Sequence, residues 1–279
     1  MKQIITFILS GLVAITATAQ QNIKVSYNET QMQVHGDSLR TNKFILLSSA
    51  DRSLYYNSMS LYVDSMTSTP EGKKKLQEIQ LAAWKVESPD GSFVLDMRRE
   101  APRKTINRYV EKCFKTSNTN LYDKFADDFG MYTEPFDELA WEVVADSTRT
   151  VLGYECIMAN ADYHGRHWTA WFTPEIPLRD GPWKLRGCPG LILEAVADNG
   201  SYFTATGIET TTETTPPIYK PDSYSHVNRK KALAEEEHFR NNYVSSLAAQ
   251  GIKITSADGG RYDAPEFIRE KHALETDYN

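Results

Sequence analysis

The stretch from Leu139 to Ile208 constrains the fold most. It breaks into short runs that alternate apolar and polar side chains, separated by turn signals. A run of period two has one face to bury and one to wet, as in a half-buried strand. Arg166 to Thr173 is the clearest case, with Trp168, Ala170 and Phe172 on one face and His167, Thr169 and Trp171 on the other. Leu139 to Val143 reads as a strand and Asp146-Ser147 as a turn. Val151 to Tyr154 then begins a strand that runs through Cys156 and Met158. Leu191 to Val196 and Tyr202 to Ile208 flank Asp198-Asn199-Gly200, a hairpin turn. Thr210 to Thr215 reads as a last edge strand, closed by Pro216-Pro217 because proline cannot donate a ladder bond.

Upstream, Ile23 to Tyr27 alternates in the same way, and Phe44 to Ser48 with Leu54 to Tyr56 reads as a hairpin. Thr69-Pro70 opens a helix whose Leu76, Ile79, Gln80 and Ala83 share a stripe. Phe93 to Met97 follows a Ser-Pro-Asp-Gly turn as a strand, and Ile106 to Phe114 alternates moderately. Asp123 to Tyr132 has no single period: Phe125 and Phe129 sit at helical spacing in sheet-like surroundings. Asn228 to Ala249 reads as a helix, with Leu233, Phe239, Val244 and Leu247 in an imperfect stripe. Residues 251–279 are polar and are expected to wrap the surface. With no internal repeat and no long linker, the pattern predicts one α+β domain built on a mainly antiparallel sheet with a few covering helices.

The amino terminus reads as an address. Met1-Lys2-Gln3 is a positive start, Ile4 to Ala17 is almost wholly apolar, and Ala17-Thr18-Ala19 has the small-x-small form of a cleavage site. The apolar run falls short of the roughly 20 residues of a spanning helix. Residues 1–19 are therefore expected to be a signal peptide and 20–279 the domain. No cysteine follows the cleavage site to carry a lipid, and no later stretch is apolar enough to span a bilayer. The product is expected to be exported and soluble after cleavage, in the periplasm or outer envelope. Thirty-one basic against 37 acidic side chains, a net charge of −6, argue against a nucleic-acid partner. Three cysteines are too few for a fold built on disulfides.

One block is denser in motifs than the rest. It runs from Trp141 through Gly153-Tyr154-Glu155-Cys156 and Gly165 to Pro177. Gly181-Pro182-Trp183-Lys184 and Gly187-Cys188-Pro189-Gly190-Leu191-Ile192-Leu193-Glu194 complete it. Covering about a fifth of the chain, it resembles the GLPGLI family of exported Bacteroidota proteins, with Cys188 where the name motif has leucine. The closing Leu274 to Tyr278 is also similar to the way such proteins end. The resemblance implies an envelope protein with no established activity and no agreed catalytic residues or cofactor. It also implies a setting near outer-membrane transport systems of the TonB-dependent kind. Its strand pattern is reminiscent of the curved sheet of lipoprotein carriers (LolA-like), an analogy of fold alone.

Physically, Gly187, Pro189 and Gly190 suit a tight bend before a buried strand, and Gly181-Pro182 makes a second bend. Two readings of this aromatic corner stand. It is a structural signature of the fold, or it is a lip for a ligand or partner built from Arg166, Trp168, Trp171, Phe172, Trp183, Pro189 and Gly190. The partner would be an outer-membrane transport protein, or an apolar ligand such as a lipid held in the concave face.

Catalytic and metal chemistry find little support. The sequence has no HExxH, CxxC, P-loop or GxSxG pattern. His164 and His167 would face opposite sides of a strand unless Gly165 bends it. Glu175 and Glu194 would pair only if the fold brought them together. A Cys156–Cys188 bridge would close a loop of about 33 residues, worth roughly 3–4 kcal/mol, and free thiols are the alternative. The basic patch Arg98 to Lys104 reads as a solvated loop, with anionic headgroups or an acidic partner as the second reading. Arg166 is expected to pair with a carboxylate. A hydrolase with an unrecognised site remains the rival to a non-enzymatic binding or accessory module.

Overall fold

The computed structural model describes residues 22–33, 38–136, 139–255 and 266–278, so the expected signal peptide lies outside the described residues. The strands in chain order are β1 (Asn22–Met32), β2 (Leu39–Ser48), β3 (Arg52–Tyr56), β4 (Lys85–Glu87), β5 (Phe93–Leu95), β6 (Tyr109–Cys113) and β7 (Asn118–Phe125). They continue with β8 (Asp128–Pro135), β9 (Glu142–Val151), β10 (Tyr154–Tyr163), β11 (Arg166–Thr173), β12 (Leu191–Ala197), β13 (Tyr202–Thr211) and β14 (Ser225–His226). Twelve of them form one open, curved sheet in the order β14-β8-β7-β6-β3-β2-β1-β13-β12-β11-β10-β9. Every pairing is antiparallel except β14 on β8. The expected α+β class, with a curved and mainly antiparallel sheet, is what forms.

The helices are α1 (Ser58–Thr67), α2 (Pro70–Trp84), α3 (Arg229–Ala249) and the short α4 (Arg269–His272). Thr69 caps α2 by accepting the Gly72 N–H, with Pro70 at the first position, where its missing donor costs nothing. Asn228 caps α3 in the same way through the Lys231 N–H. Helices α1 and α2 and the separate β4–β5 ribbon lie between β3 and β6.

Several local readings need correction. Asp146-Ser147 is not a turn. Strand β9 runs through it as a bulge: Val144 pairs with Met158 and Thr148 with Ile157, so the three residues between have no partner. The turn is Leu152-Gly153, where both residues have positive φ, the geometry of a two-residue hairpin. Thr210 and Thr211 are not an edge either, because they close β13 against Ile23 and Asn22 of β1 in the middle of the sheet. The unperiodic stretch from Asp123 to Tyr132 is the β7–β8 hairpin, folded back at Ala126 and Asp127.

The main core lies on the inner face of the sheet, with Tyr27, Phe44, Leu46, Tyr55, Val110 and Leu121 from one half and Trp168, Phe172 and Phe203 from the other. A smaller cluster of Leu47, Leu54, Tyr56 and Tyr109 lies on the outer face, packed by Leu61 of α1. The inner face is covered by a buried loop, Asp180 to Leu185, together with α3 and the carboxy-terminal segment. Lys112 of β6 shares the inner parity of Val110. Its fully buried ammonium meets Asp180 Oδ1 at 2.5 Å and also donates to the Gly181 and Leu185 carbonyls. Asp180 accepts in addition from Ser48 and from the Gly181 N–H. Every charge in that pair is hydrogen-bonded, as burial requires.

Candidate ligand chamber and the clamp at its end

The loop, helix α3 and tail do not fill the concavity. They leave an open chamber of about 900 Å³ against the inner face. Its apolar end is lined by Phe44, Leu121, Phe125, Tyr132 and Trp183, while Gln31, Gln33, Arg40, Asn42 and Asn107 line its other part. Register explains this gradient. Phe44 stands opposite Tyr27, Asn42 opposite Glu29 and Arg40 opposite Gln31, so the inner row of β1 and β2 turns from apolar to polar towards the β1–β2 connection. From the covering side come Phe239 and Tyr243 of α3, with Phe267 and Tyr278 from the tail segment.

Three charges sit where the two ends meet. Glu29 of β1 is buried and accepts from Arg108, Tyr55 and Gln31. Arg108 lies over the Phe44 ring. Its Nε is buried and has no hydrogen-bond partner among the described residues. Asp123, on the inner row of β7 with Leu121 and Phe125, accepts the Lys124 N–H. Burial outweighs the nearby Arg108 and pushes its carboxyl up to about 6.

The sign of that shift gives a prediction. A carboxyl held near 6 in the fold and near 3.9 in the unfolded chain weakens folding above pH 6 and has no effect below pH 4. Asp123→Asn should therefore stabilise the protein by about 2 kcal/mol at pH 7.5, allowing for the partial exposure of the group. The gain should vanish near pH 4, as urea titrations at the two pH values would show.

A clamp of charges fixes the tail beside the chamber. Lys184, fully buried, meets Glu134 and Glu275 at 2.7 Å each and donates to Tyr132 at 2.9 Å. Arg229, at the start of α3, holds Glu275 at 2.6 Å and also pairs with Asp277. His164 reaches Asp277 at 3.2 Å and Glu134 at 3.4 Å. The Thr276 N–H donates to the His164 carbonyl, and the Thr276 hydroxyl to that of Gly165. Gly165 is required there: its φ is +75°, and a Cβ would run into the Thr276 hydroxyl.

His164, Glu275 and Asp277 could present ligand atoms within 4.8 Å of one another. Lys184 and Arg229 already supply the counter-charge on those carboxylates, so the cluster is a salt-bridge clamp and does not fit a metal. Partners hold Glu134 and Asp277 down to about 2, and Glu275 is lowered as well, against the opposing effect of burial. The stability they contribute is present above the unfolded carboxylate range and is lost as pH falls from about 4.5 towards 2. The tail should release over that window. Hydrogen exchange at the Thr276 amide would report it, while amides of the central strands stay protected.

The residues expected at a lip are divided by the fold. Trp168, Phe172 and Trp183 are buried, with the Trp168 ring 5.7 Å from Trp183 and 5.8 Å from Phe203. The amphipathic surface expected of them is thus absent: the inner row of β11 points into the core, and of these three only Trp183 reaches the chamber wall. Trp171 is on the opposite face, under the Arg149 guanidinium at 4.0 Å. Arg166 is buried and pairs with Asp198 as expected, and it also donates to the Ala273 and Arg269 carbonyls, binding the tail. Pro189 is exposed, whereas Gly190 is buried so tightly that a Cβ would overlap the Thr173 carbonyl.

The other expectations resolve simply. All three cysteines are free thiols, and burial pushes Cys156 up to about 11 and Cys188 to about 12. His167 pairs with Asp162 on the exposed side, apart from the His164 cluster. Glu194 pairs with Arg149, and Glu175 accepts the Glu155 N–H, so they form no joint site. In the basic patch, Arg98 pairs with Asp96 and Lys104 with Asp64. The tail does not merely wrap the surface, since Leu274, Glu275 and Tyr278 are buried.

Residues 164–194 match a family model, Porph_ging, described as a protein of unknown function. The match falls within the block that resembles the GLPGLI family and spans the β10–β11 turn, the buried loop and most of β12. In fold, the chain is similar to PNGF-II, solved in two crystal forms, at 12% and 13% identity with a TM-score of 0.50 in each. The likeness covers 79% of this chain and about a third of PNGF-II (33% and 34%), and it concerns the fold alone. An outer membrane lipoprotein-sorting protein domain from Vibrio parahaemolyticus aligns with 74% of this chain and 92% of its own. Its TM-score is 0.25 at 6% identity, and no argument rests on it. Comparison with curated proteins gives no match.

Proposed function

We propose that this chain is an exported envelope protein that works by binding, with residues 20–279 as one domain and the inner-face chamber as its ligand site. The chamber carries this reading: pockets of roughly 300–1,000 Å³ with mixed apolar and polar linings are the usual form of small-molecule sites, and this one measures about 900 Å³. Its gradient suits a ligand with an apolar face and a polar part better than a wholly apolar lipid. The export signal and the GLPGLI resemblance support an envelope setting, and an outer-membrane transport protein is the partner that setting suggests. No helix among the described residues is long and apolar enough to cross a membrane. The block at 164–194 would then serve indirectly, Trp183 forming chamber wall and His164, Arg166 and Lys184 holding the tail over it.

One observation favours the rival hydrolase. Asp123, with its raised pKa in a cavity, is the kind of group that acts as a general acid or base. Native mass spectrometry of the protein purified from its own envelope tests the binding reading. A removable mass of a few hundred daltons is expected, and it should return when the stripped protein is incubated with envelope extract. A clean polypeptide mass both before and after that incubation would overturn the binding reading.

A further inference from the structure

The chamber's hydrogen-bonding and charge pattern selects among ligands. Arg108 spends one edge on Glu29, and its buried Nε–H has no partner among the described residues. A buried donor left in that state is costly, and an acceptor brought by a ligand would satisfy it. The acceptor should be uncharged. Glu29, paired with the guanidinium, and Asp123 close to it already balance its charge. A carboxylate or phosphate brought to Arg108 would meet the repulsion of those two carboxylates. Asp123, mostly ionised above pH 6, calls for a donor close to that acceptor.

The remaining polar groups are spread along the walls. Gln31, Gln33, Asn42 and Asn107 are side-chain amides, which carry both donors and an acceptor, one donor of Gln31 being spent on Glu29. A single polar head would leave most of them unused. A ligand with hydroxyls at close intervals would use them in turn, its neighbouring hydroxyls serving one as acceptor to Arg108 and one as donor to Asp123. Phe239, Tyr243 and Phe267 supply apolar ring surfaces that fit the C–H faces of such a ligand.

We infer that the chamber takes a neutral saccharide of a few units, anchored by a hydroxyl pair between Arg108 and Asp123. This rests on the chamber being a ligand site, as proposed above.

The test is an array of neutral and acidic oligosaccharides probed with the purified full-length protein. Calorimetry on the best neutral binder would follow, with dodecylphosphocholine and a fatty acid as competitors. Binding should be confined to neutral members and should weaken about tenfold in Arg108→Lys, the equivalent of one lost hydrogen bond of about 1.4 kcal/mol. Arg108 also partners Glu29, so Asn42→Ala and Phe239→Ala serve as second variants: each should weaken binding several-fold with an unchanged urea midpoint. A preference for acidic sugars, or no bound saccharide at all, would overturn the inference. Two controls separate this failure from failure of the chamber reading. A lipid-sized native mass displaced by dodecylphosphocholine would keep the chamber and discard the saccharide. No native mass and no binder of any class would discard both.

Discussion

Replacing Lys112 with Met should destabilise the protein by about 3–5 kcal/mol, the usual cost of removing one partner of a buried ion pair. Lys112 and Asp180 are both fully buried, and the ammonium also satisfies two carbonyls of the 180–185 loop. Methionine keeps much of the length and loses the charge, so it leaves Asp180 ionised in the core and two carbonyls short of a donor. Burial lowers the Lys112 pKa while Asp180 opposes that shift, so the pair holds together only as a pair. Changing Asp180 to Asn in the Lys112→Met background should recover part of the loss. Urea unfolding of the two single variants and the double variant would measure the coupling. A loss below about 1 kcal/mol for Lys112→Met would mean that water reaches the site and screens the pair.

Lys184→Met is expected to cost about as much, roughly 3–5 kcal/mol, but to act differently. It leaves Glu134 and Glu275 facing each other without the cation between them. Lys184 is the cation that ties Glu275 of the tail to Glu134 of β8, so the damage should concentrate on the tail, with Arg229 holding Glu275 and Asp277 in part. Hydrogen exchange at the Thr276 amide should rise before global unfolding, and trypsin should reach Arg269 and Lys271 sooner than in the parent. Glu134→Gln in the same background should restore part of the stability, because with Lys184 gone Arg229 faces three carboxylates, Glu134 at 3.6 Å besides Glu275 and Asp277. If exchange at the tail did not change, the clamp would rest on Arg229 and Arg166 instead.

Much of the fold could be read from alternation alone. Arg166 to Thr173 forms a strand with the two faces expected, and Asp198-Asn199-Gly200 forms the hairpin turn. What alternation does not give is the sheet order. Strand β1 finds β13 at the far end of the sheet-forming chain, and no local pattern encodes that pairing. Turn composition misled at Asp146-Ser147, because a bulge tolerates the same residues as a turn. At the aromatic corner the sequence left a structural signature and a lip open side by side. Aromatic density does not distinguish a lip from a core, and here the inner row of β11 and the loop carrying Trp183 are core.

The chamber charges were missed because they form no motif: Glu29 lies on β1, 79 residues before Arg108, while Arg108, next to β6, and Asp123 of β7 belong to the β6–β7 hairpin. A signal was nevertheless present. Glu29 continues the inner parity of Val25 and Tyr27, Asp123 lies between Leu121 and Phe125, and Lys112 follows Val110. A charged residue on the core-facing parity of an otherwise apolar strand is costly unless it has a partner or a task. That rule singles out Glu29, Lys112 and Asp123 from the sequence, although it cannot say which of them line a cavity.

The position of β1 has a consequence for how the chain reaches this state. It is the first strand among the described residues, and it is the seam that joins the two halves of the sheet, with β2 on one side and β13 on the other. Its side chains bond across great separations, as when Asn22 donates to the Glu213 carbonyl 191 residues away. Contacts so distant in sequence are formed late, because the intervening chain must be ordered before they repay it. During synthesis β1 can zip to β2 early, but one edge of it stays open until β13 exists. The two halves of the sheet therefore join only once β13 has been made.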